Sequence, residues 1–484
     1  PKAMVRGVPA ALPALNPSAF PKPAALQRAR EISDSHSGLG LLVWYGGELV
    51  DSHFAEGVSA ATPFTAFSMH KSLLALAILA AIEDGILEGL DAPVGTYIPE
   101  WSGDGRGAIT LRQLLAQTSG LEHVPMSSGD ARAAALVLSS QVSATALQYG
   151  QAEPPDTTFN YNNVNSQILG IALENALAER GMAYAEYLSE RLWKPLGNGD
   201  ASLWLEDEGG SPRYYSGMEA SLADWLRIGI MLAGNGALGG EQVLAPESIA
   251  ALSVPSALND AYSLNTWRGA DWKPQRRYGP TTPSTVPHSA PYLAGDVMYF
   301  DGFGGQRVYV VPSQHLVVAR FGEVDMAYDD AAILNTLLQA LLDARLEQSF
   351  AEYRDDSADV LFLERFEQLR REAQNGRGLA SYDPLIPLPG AEAYQPLPRG
   401  AAGWILAGLA LGGAAALRPT ALAVAAGALL VLWIRPLIRR RSGGPKHAAA
   451  AGASFAAGLL IVVLPFTIAN YARSGELVLL SANG

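Results

Sequence analysis

The chain has 484 residues, carries 34 Lys and Arg against 47 Asp and Glu for a net charge of −13, and contains no cysteine. That length exceeds one ordinary hydrophobic core, so two or more units are expected. The charge balance, with no basic aromatic stripe in the first 400 residues, excludes a nucleic-acid binder, and the missing thiols exclude disulfides, thiolate metal sites and a lipid-anchored N-terminal Cys. The seven His are scattered, with no His-x-x-x-His pair on a helix, so neither a metal nor a cofactor is expected. The first residue is Pro1 rather than Met, so a fragment or a processed product is expected, from which any signal peptide would already be missing.

Residues 1–24 are rich in Pro and Ala without a sustained period, which predicts an extended, weakly ordered lead-in, and 25–34 reads as a short helix. Gly40 to Trp44 and Leu49 to Phe54 flank Gly46-Gly47, a two-residue hairpin signal. Then comes Phe67-Ser68-Met69-His70-Lys71-Ser72, running into Leu73 to Ile82, where nearly every residue is apolar. This predicts a helix buried on all sides and ending near Gly85. Ser68 and Lys71 stand three residues apart, so the hydroxyl and the amine share a helix face. A serine hydroxyl needs a base to become a nucleophile, and a desolvated lysine has the depressed pKa to serve. Free N–H groups at the helix N-terminus suit a developing oxyanion. Ser-x-x-Lys occurs often by chance, but here the lysine opens an otherwise uncharged apolar helix, where an idle charge is costly.

Residues 90–99 form a loop, and Ile109 to Gln117 is a helix stopped by Thr118-Ser119-Gly120-Leu121. His123 in the following loop reads as structural or solvated. A coil at 154–163 leads into a helix from about Asn165 to Glu179. Tyr161 and Asn163 alternate along that extended piece and can point to one side. A phenol near a lysine ammonium ionises more readily and can shuttle protons, while the Asn amide can donate to a substrate carbonyl and accept from the lysine. Residues 181–255 read as helical and loop-rich, with helices at Ala183 to Trp193 and Ser221 to Leu232. Residues 256–294 are a long loop in which Trp267, Trp272, Tyr278 and Tyr292 either line an apolar pocket or anchor the loop. Strands return at Val297 to Phe300, Gln306 to Val311 and Leu316 to Phe321, followed by an amphipathic helix from Asp329 to Arg345. Between the first two strands, Gly302, Gly304 and Gly305 permit a strained turn and close backbone approach to a ligand, and N–H groups there could complete an oxyanion hole.

These features in this order resemble the serine β-lactamase and penicillin-binding-protein superfamily over residues 35–345. The closer likeness is to its class C-like branch, with D-aminopeptidases, carboxylesterases and 6-aminohexanoate-dimer hydrolases. Phe67 to Ser72 resembles the Ser-x-x-Lys motif, Tyr161-Asn162-Asn163 the Tyr-x-Asn motif, and Leu114 to Leu121 the Leu-Leu-x-x-Thr-Ser-Gly-Leu stretch. Gly240-Glu241-Gln242-Val243-Leu244 is similar to a late segment of the family. The third motif, Lys/His-Thr/Ser-Gly, is missing; Gly302-Phe303-Gly304-Gly305-Gln306 stands there instead, as in the 6-aminohexanoate-dimer hydrolase and esterase members. The resemblance implies an α+β fold: an antiparallel sheet built from both ends of the domain, flanked by helices, plus a mostly helical subdomain. It implies that Ser68 attacks a small ester or amide, that Lys71 and Tyr161 move protons, and that Asn163 orients the substrate. The N–H groups of Ser68 and Phe303, within Gly302 to Gly304, would hold the oxyanion. The alternatives are a D-Ala-D-Ala carboxypeptidase or β-lactamase, and a non-catalytic penicillin-binding-like module tethered to a membrane.

The domain organisation expected is a lead-in at 1–24, a hydrolase domain at 25–346, a polar and Pro-rich linker at 347–400 and a membrane segment at 401–484. Two spans are expected near 415–434 and 449–469, since about 20 apolar residues cross a bilayer. The loop between them holds Arg435, Arg439, Arg440, Arg441 and Lys446, which places it in the cytoplasm and the hydrolase domain on the periplasmic or extracellular side. The tail, with Pro465 to Glu476, resembles polytopic GT-C-type glycosyltransferases, but the acidic catalytic loop of that family is not in view.

Overall fold

Along Gly38–Tyr45 the side chains of Leu41 and Val43 join one apolar cluster and Leu42 joins another, so this strand is buried on both faces. The same division runs through Gln306–Val311, with Tyr309 and Val311 on one side and Val308 and Val310 on the other. Such a sheet needs a helical layer on each face, and that requirement sets the architecture.

The computed structural model describes residues 1–125, 128–270, 272–279 and 285–352, with the backbone alone for 349–352. Its strands are β1 (Lys2–Val5), β2 (Gly38–Tyr45), β3 (Glu48–Phe54), β4 (Pro63–Thr65), β5 (Ala201–Trp204), β6 (Met218–Ser221), β7 (Ala237–Leu238) and β8 (Glu241–Gln242). They continue with β9 (Trp267–Arg268), β10 (Gln275–Arg277), β11 (Thr285–Pro287), β12 (Met298–Gly302), β13 (Gln306–Val311) and β14 (Leu316–Gly322). The helices are α1 (Pro23–Ser35), α2 (Met69–Glu83), α3 (Leu111–Leu115), α4 (Ala131–Leu138), α5 (Val142–Leu147), α6 (Asn163–Ala178), α7 (Tyr184–Leu188), α8 (Leu222–Ala233), α9 (Pro246–Ser253) and α10 (Ala332–Glu352).

The main sheet is antiparallel in the order β3-β2-β14-β13-β12-β9, so strands from the two ends of the domain lie side by side. β2 and β3 are joined by Gly46-Gly47, both at positive φ, as the hairpin signal predicts. One face of the sheet packs Leu41, Tyr309 and Val318 with Leu26 of α1 and with Leu334 and Leu338 of α10. The other packs Val308, Val317 and Phe321 with α2, α6 and α8. α2 carries apolar residues on every side and is buried almost throughout, as its sequence predicts.

Two expectations are corrected. The lead-in is not weakly ordered: β1 pairs antiparallel with β5 in a second sheet of order β1-β5-β6-β4. Likewise 181–255 is not only helix and loop, because β5 and β6 lie within it. Both errors have one cause: these short strands gain their partners from segments far away in sequence, which local periodicity does not register. Among the described residues no helix is long and apolar enough to cross a membrane, and the expected spans at 415–434 and 449–469 lie outside them, as does most of the linker.

The approach of α8 to the sheet depends on Gly229, where an added Cβ would stand 2.5 Å from Val317 Cγ1 and 3.0 Å from Val308 Cγ1. Overpacking of this kind costs about 1–3 kcal/mol. Gly229→Ala is therefore expected to lower the thermal or urea denaturation midpoint, and an unchanged midpoint would show that this helix sits loosely on the sheet.

Candidate active site

Ser68 caps α2, and the turn that delivers it is tight. Phe67, just before it, sits at φ +49, a left-handed conformation that a bulky residue adopts only when its surroundings impose it. Ala66 fixes the approach by donating its N–H to the carbonyl of Met218. Ser68 remains partly exposed while Lys71, one turn on, is 1% exposed. Lys71 Nζ lies 2.9 Å from Ser68 Oγ, 2.8 Å from Asn163 Oδ1 and 3.1 Å from the carbonyl of Tyr215. Both oxygens of Asn163 and Tyr215 can only accept. A neutral amine has two hydrogens for those two acceptors, and its lone pair is left for the Ser68 hydroxyl. Burial pushes the Lys71 pKa down to about 7, against the field of Asp301, which favours the ammonium. The neutral form is thus within reach near neutral pH.

Tyr161 and Asn163 arrive together because Asn162 caps α6 and accepts from the N–H of Val164. Tyr161 packs among Trp267, Tyr262 and Tyr278, with ring centroids 5.2–6.0 Å away, and the Lys71 amine sits 4.8 Å from its ring centre. The expectation that this phenol ionises readily is corrected. Burial and the Asp301 carboxylate hold its pKa well above the ordinary phenol value, and a hydrogen bond with Ser68 only partly offsets them. Tyr161 is therefore protonated at neutral pH, whereas the Lys71 amine can be neutral there. Of the four loop aromatics, Trp267 and Tyr292 are buried anchors. Tyr278 is half-buried against Tyr161, and the exposed Trp272 donates its indole N–H to the carbonyl of His288.

The glycine turn closes the β12–β13 hairpin, with Gly304 at φ +77 and Gly305 at φ +95. Gly302 lies against the Ser68 turn: a Cβ there would stand 2.5 Å from the carbonyl oxygen of Ala66. The rings of Phe303 and Phe67 meet edge to face at 6.0 Å, and Phe303 is 47% exposed. Among the described residues neither the Ser68 N–H nor the Phe303 N–H finds an acceptor. All seven residues singled out from the sequence (Ser68, Lys71, Tyr161, Asn163, Gly302, Phe303 and Gly304) thus belong to segments packed around one point.

Sequence reasoning missed the groups that hold them there. Gln117, at φ +61, accepts from the N–H of Asn162 and from Asn165 Nδ2, and donates to Asn265 Oδ1. Its own carbonyl accepts from the N–H of Asn160. Asn265 in turn receives the Ser72 hydroxyl on its carbonyl, which ties the end of the Tyr161 segment to α2. The signal for Gln117 was its place before Thr118-Ser119-Gly120; no local signal marks Asn265. His70 is a brace: Nδ1–H donates to the Ser216 carbonyl at 2.7 Å, Nε2 pairs with the Tyr184 hydroxyl, and burial lowers its pKa to about 4. His123 is half-buried, with its pKa lowered by desolvation. Among the described residues no cluster of His, Asp and Glu has the make-up of a metal site.

The Beta-lactamase family model matches residues 24–356. A protein from Bacillus anthracis assigned as a 6-aminohexanoate-dimer hydrolase superposes with a TM-score of 0.55 at 21% identity, over 72% of this chain and 92% of its own. EstCE1, a hydrolase with promiscuous acyltransferase activity, superposes with a TM-score of 0.51 at 16% identity, over 66% of this chain and 98% of its own. A protein from Bacteroides dorei assigned as a beta-lactamase gives 0.50 at 19% identity, over 66% and 98%. At these identities the likeness is one of fold. No curated protein sequence matches significantly. The family match stops short of the tail and lends no support to its likeness to glycosyltransferases.

If Lys71 takes the Ser68 proton, only its neutral form serves, so reactivity rises as pH passes upward through the depressed pKa. The rate of Ser68 modification by a fluorophosphonate is expected to climb between pH 5 and 8 with a midpoint near 7. Tyr161→Phe should keep that inflection while lowering the rate; a midpoint that disappears in Tyr161→Phe would assign the base to the tyrosine instead.

Proposed function

Because this chain belongs to the beta-lactamase family, we propose that it is a serine hydrolase that forms an acyl-enzyme on a small ester or amide. The observation that carries the reading is the buried Lys71 amine, whose Nζ stands within hydrogen-bond distance of Ser68 Oγ, Asn163 Oδ1 and the Tyr215 carbonyl.

In the proposed mechanism Ser68 Oγ bonds to the substrate carbonyl carbon as its proton passes to Lys71 Nζ. The carbonyl oxygen becomes the oxyanion and is received by the N–H groups of Ser68 and Phe303. The Tyr161 hydroxyl, kept protonated by its surroundings, supplies the proton to the departing alkoxide or amine as the C–O or C–N bond breaks, and regains one from Lys71. Water then attacks the acyl-enzyme, giving a proton to the same pair, and the carboxylic acid leaves as Ser68 is reprotonated. Asn163 orients the substrate carbonyl while its own oxygen holds Lys71.

The flank beside the proposed oxyanion site favours a neutral, apolar acyl group. Phe303 occupies the turn where a cation and a hydroxyl would grip a carboxylate, and Val324 lies against Gly304 with half its surface exposed. For the C-terminal part, the proposal is membrane attachment through 415–434 and 449–469, with the hydrolase domain periplasmic or extracellular; the apolar lengths and the basic loop between them support it.

Intact-mass analysis of the full chain after treatment with a fluorophosphonate is expected to give one adduct, absent from Ser68→Ala. Short-chain esters should turn over faster than linear amides and far faster than penicillins. Folded protein that gains no adduct and turns over no ester would sink the hydrolase reading in favour of a non-catalytic, membrane-tethered module.

A further inference from the structure

Behind the glycine turn lies a set of buried charges that the mechanism does not use. Arg276 of β10, Asp301 of β12, Arg307 of β13 and Asp330, just before α10, are 6%, 3%, 1% and 0% exposed. Arg276 bridges Asp301 at 2.7 Å and Asp330 at 2.9 Å, and Arg307 bridges the same two at 2.6 Å each. The four charges cancel, as buried ions must. Such a set is costly to desolvate and is no argument for stability, so what it holds in place is the question.

The answer lies in where Arg307 directs the hydrogens of Nη1, the nitrogen that also stands 2.6 Å from Asp301 Oδ1. Its Nη1 donates to the carbonyl of Gly302 at 2.8 Å and to that of Gln306 at 2.8 Å. Gly302 and Phe303 share one peptide group, and among the described residues no peptide bond is cis. In a planar trans peptide the C=O and the N–H point in opposite directions. With the Gly302 oxygen fixed inward on a buried guanidinium, the Phe303 N–H points away from the charge set. That is the side on which Phe303 meets Phe67 and on which Gly302 touches the Ala66 carbonyl, next to Ser68. Gly302 precedes this peptide, and Gly304 and Gly305, both at positive φ, follow it, so the turn is built of residues with few backbone restraints and its orientation needs an external hold.

We propose that Arg307 is a positioning residue: through the Gly302 carbonyl it fixes the Gly302–Phe303 peptide so that the Phe303 N–H is presented to the oxyanion on Ser68. Asp301 and Asp330 orient its guanidinium. Arg276 joins the loop aromatics to the same device, since its guanidinium stacks 4.0 Å over Trp267, the ring that backs Tyr161. The proton donor and the oxyanion donor are thereby braced from one set of ions. This rests on the hydrolase reading above.

The test uses two variants of the full chain, Arg307→Lys and the charge-balanced pair Arg307→Gln with Asp330→Asn, which leaves no uncompensated buried carboxylate. The readouts are ester kinetics, the affinity for phenylboronic acid, which places a tetrahedral anion on Ser68, and the denaturation midpoint. Loss of one preorganised oxyanion donor costs about 10²–10³ in kcat. The double variant is expected to lose about 100-fold in kcat and a like factor in boronate affinity while KM stays within about threefold. Arg307→Lys, which keeps a cation and a donor, should recover part of both. Folded variants with wild-type kcat and boronate affinity would overturn the proposal alone. So would a loss that appears equally in KM, or that follows the denaturation midpoint without a selective effect on the boronate. Wild-type protein that neither hydrolyses esters nor binds the boronate would overturn the hydrolase reading and this proposal with it.

Discussion

The amine of Lys71 is shut away from water among three oxygens, and most of the site follows from keeping it there. A primary amine on an exposed helix would be protonated and useless as a base at neutral pH. Here the helix around it is apolar on every side, so desolvation lowers its pKa, and besides Ser68 only two acceptors stand at the amine, matching the two hydrogens of its neutral form. The nearest carboxylate with any influence, Asp301, is held by two arginines and can only moderate the shift.

Tyr161 depends on the same environment with the opposite outcome. Burial disfavours whichever form is charged: it lowers the lysine and raises the phenol, so the two groups part into a base and an acid though they lie within 4.8 Å of each other. The division of labour comes from solvent exclusion by Trp267, Tyr262 and Tyr278 rather than from the two side chains themselves.

Which of this was legible in the sequence depended on whether the signal was local. The short apolar runs of β2, β13 and β14, the Gly-Gly hairpin and the unbroken apolar run of α2 all act within a dozen residues, and the structure bears out each of them. The spacing of Ser68 and Lys71 placed both on one face because a helix has a fixed pitch. What could not be read were relations between distant segments: β1 finding β5, Gln117 bridging Asn162 and Asn265, and Arg276 meeting Asp301. The direction of the Tyr161 shift failed for the same reason. A neighbouring cation was visible in the motif, whereas the aromatic walls that outweigh it come from residues about a hundred positions later. The left-handed Phe67 has no local signal in the sequence; in the fold it follows Ala66, whose carbonyl lies against Gly302.

The site is thus a product of the whole domain. The residues proposed as its nucleophile, acid and second oxyanion donor, 68, 161 and 303, are far apart in sequence, and the domain that gathers them pairs β2 with β14 across nearly its whole length. Non-local pairing of this kind is slow to form. Rigidity matters more at the glycine turn than elsewhere, because glycine at positive φ leaves the backbone free to rotate and an N–H misdirected by a fraction of a turn stabilises nothing. A loop of glycines can come as close to a reacting carbonyl as any backbone can, but only if something buried decides which way its peptide faces. In this chain that decision is made from behind, by a guanidinium on the Gly302 oxygen, and the turn keeps its close approach without its freedom.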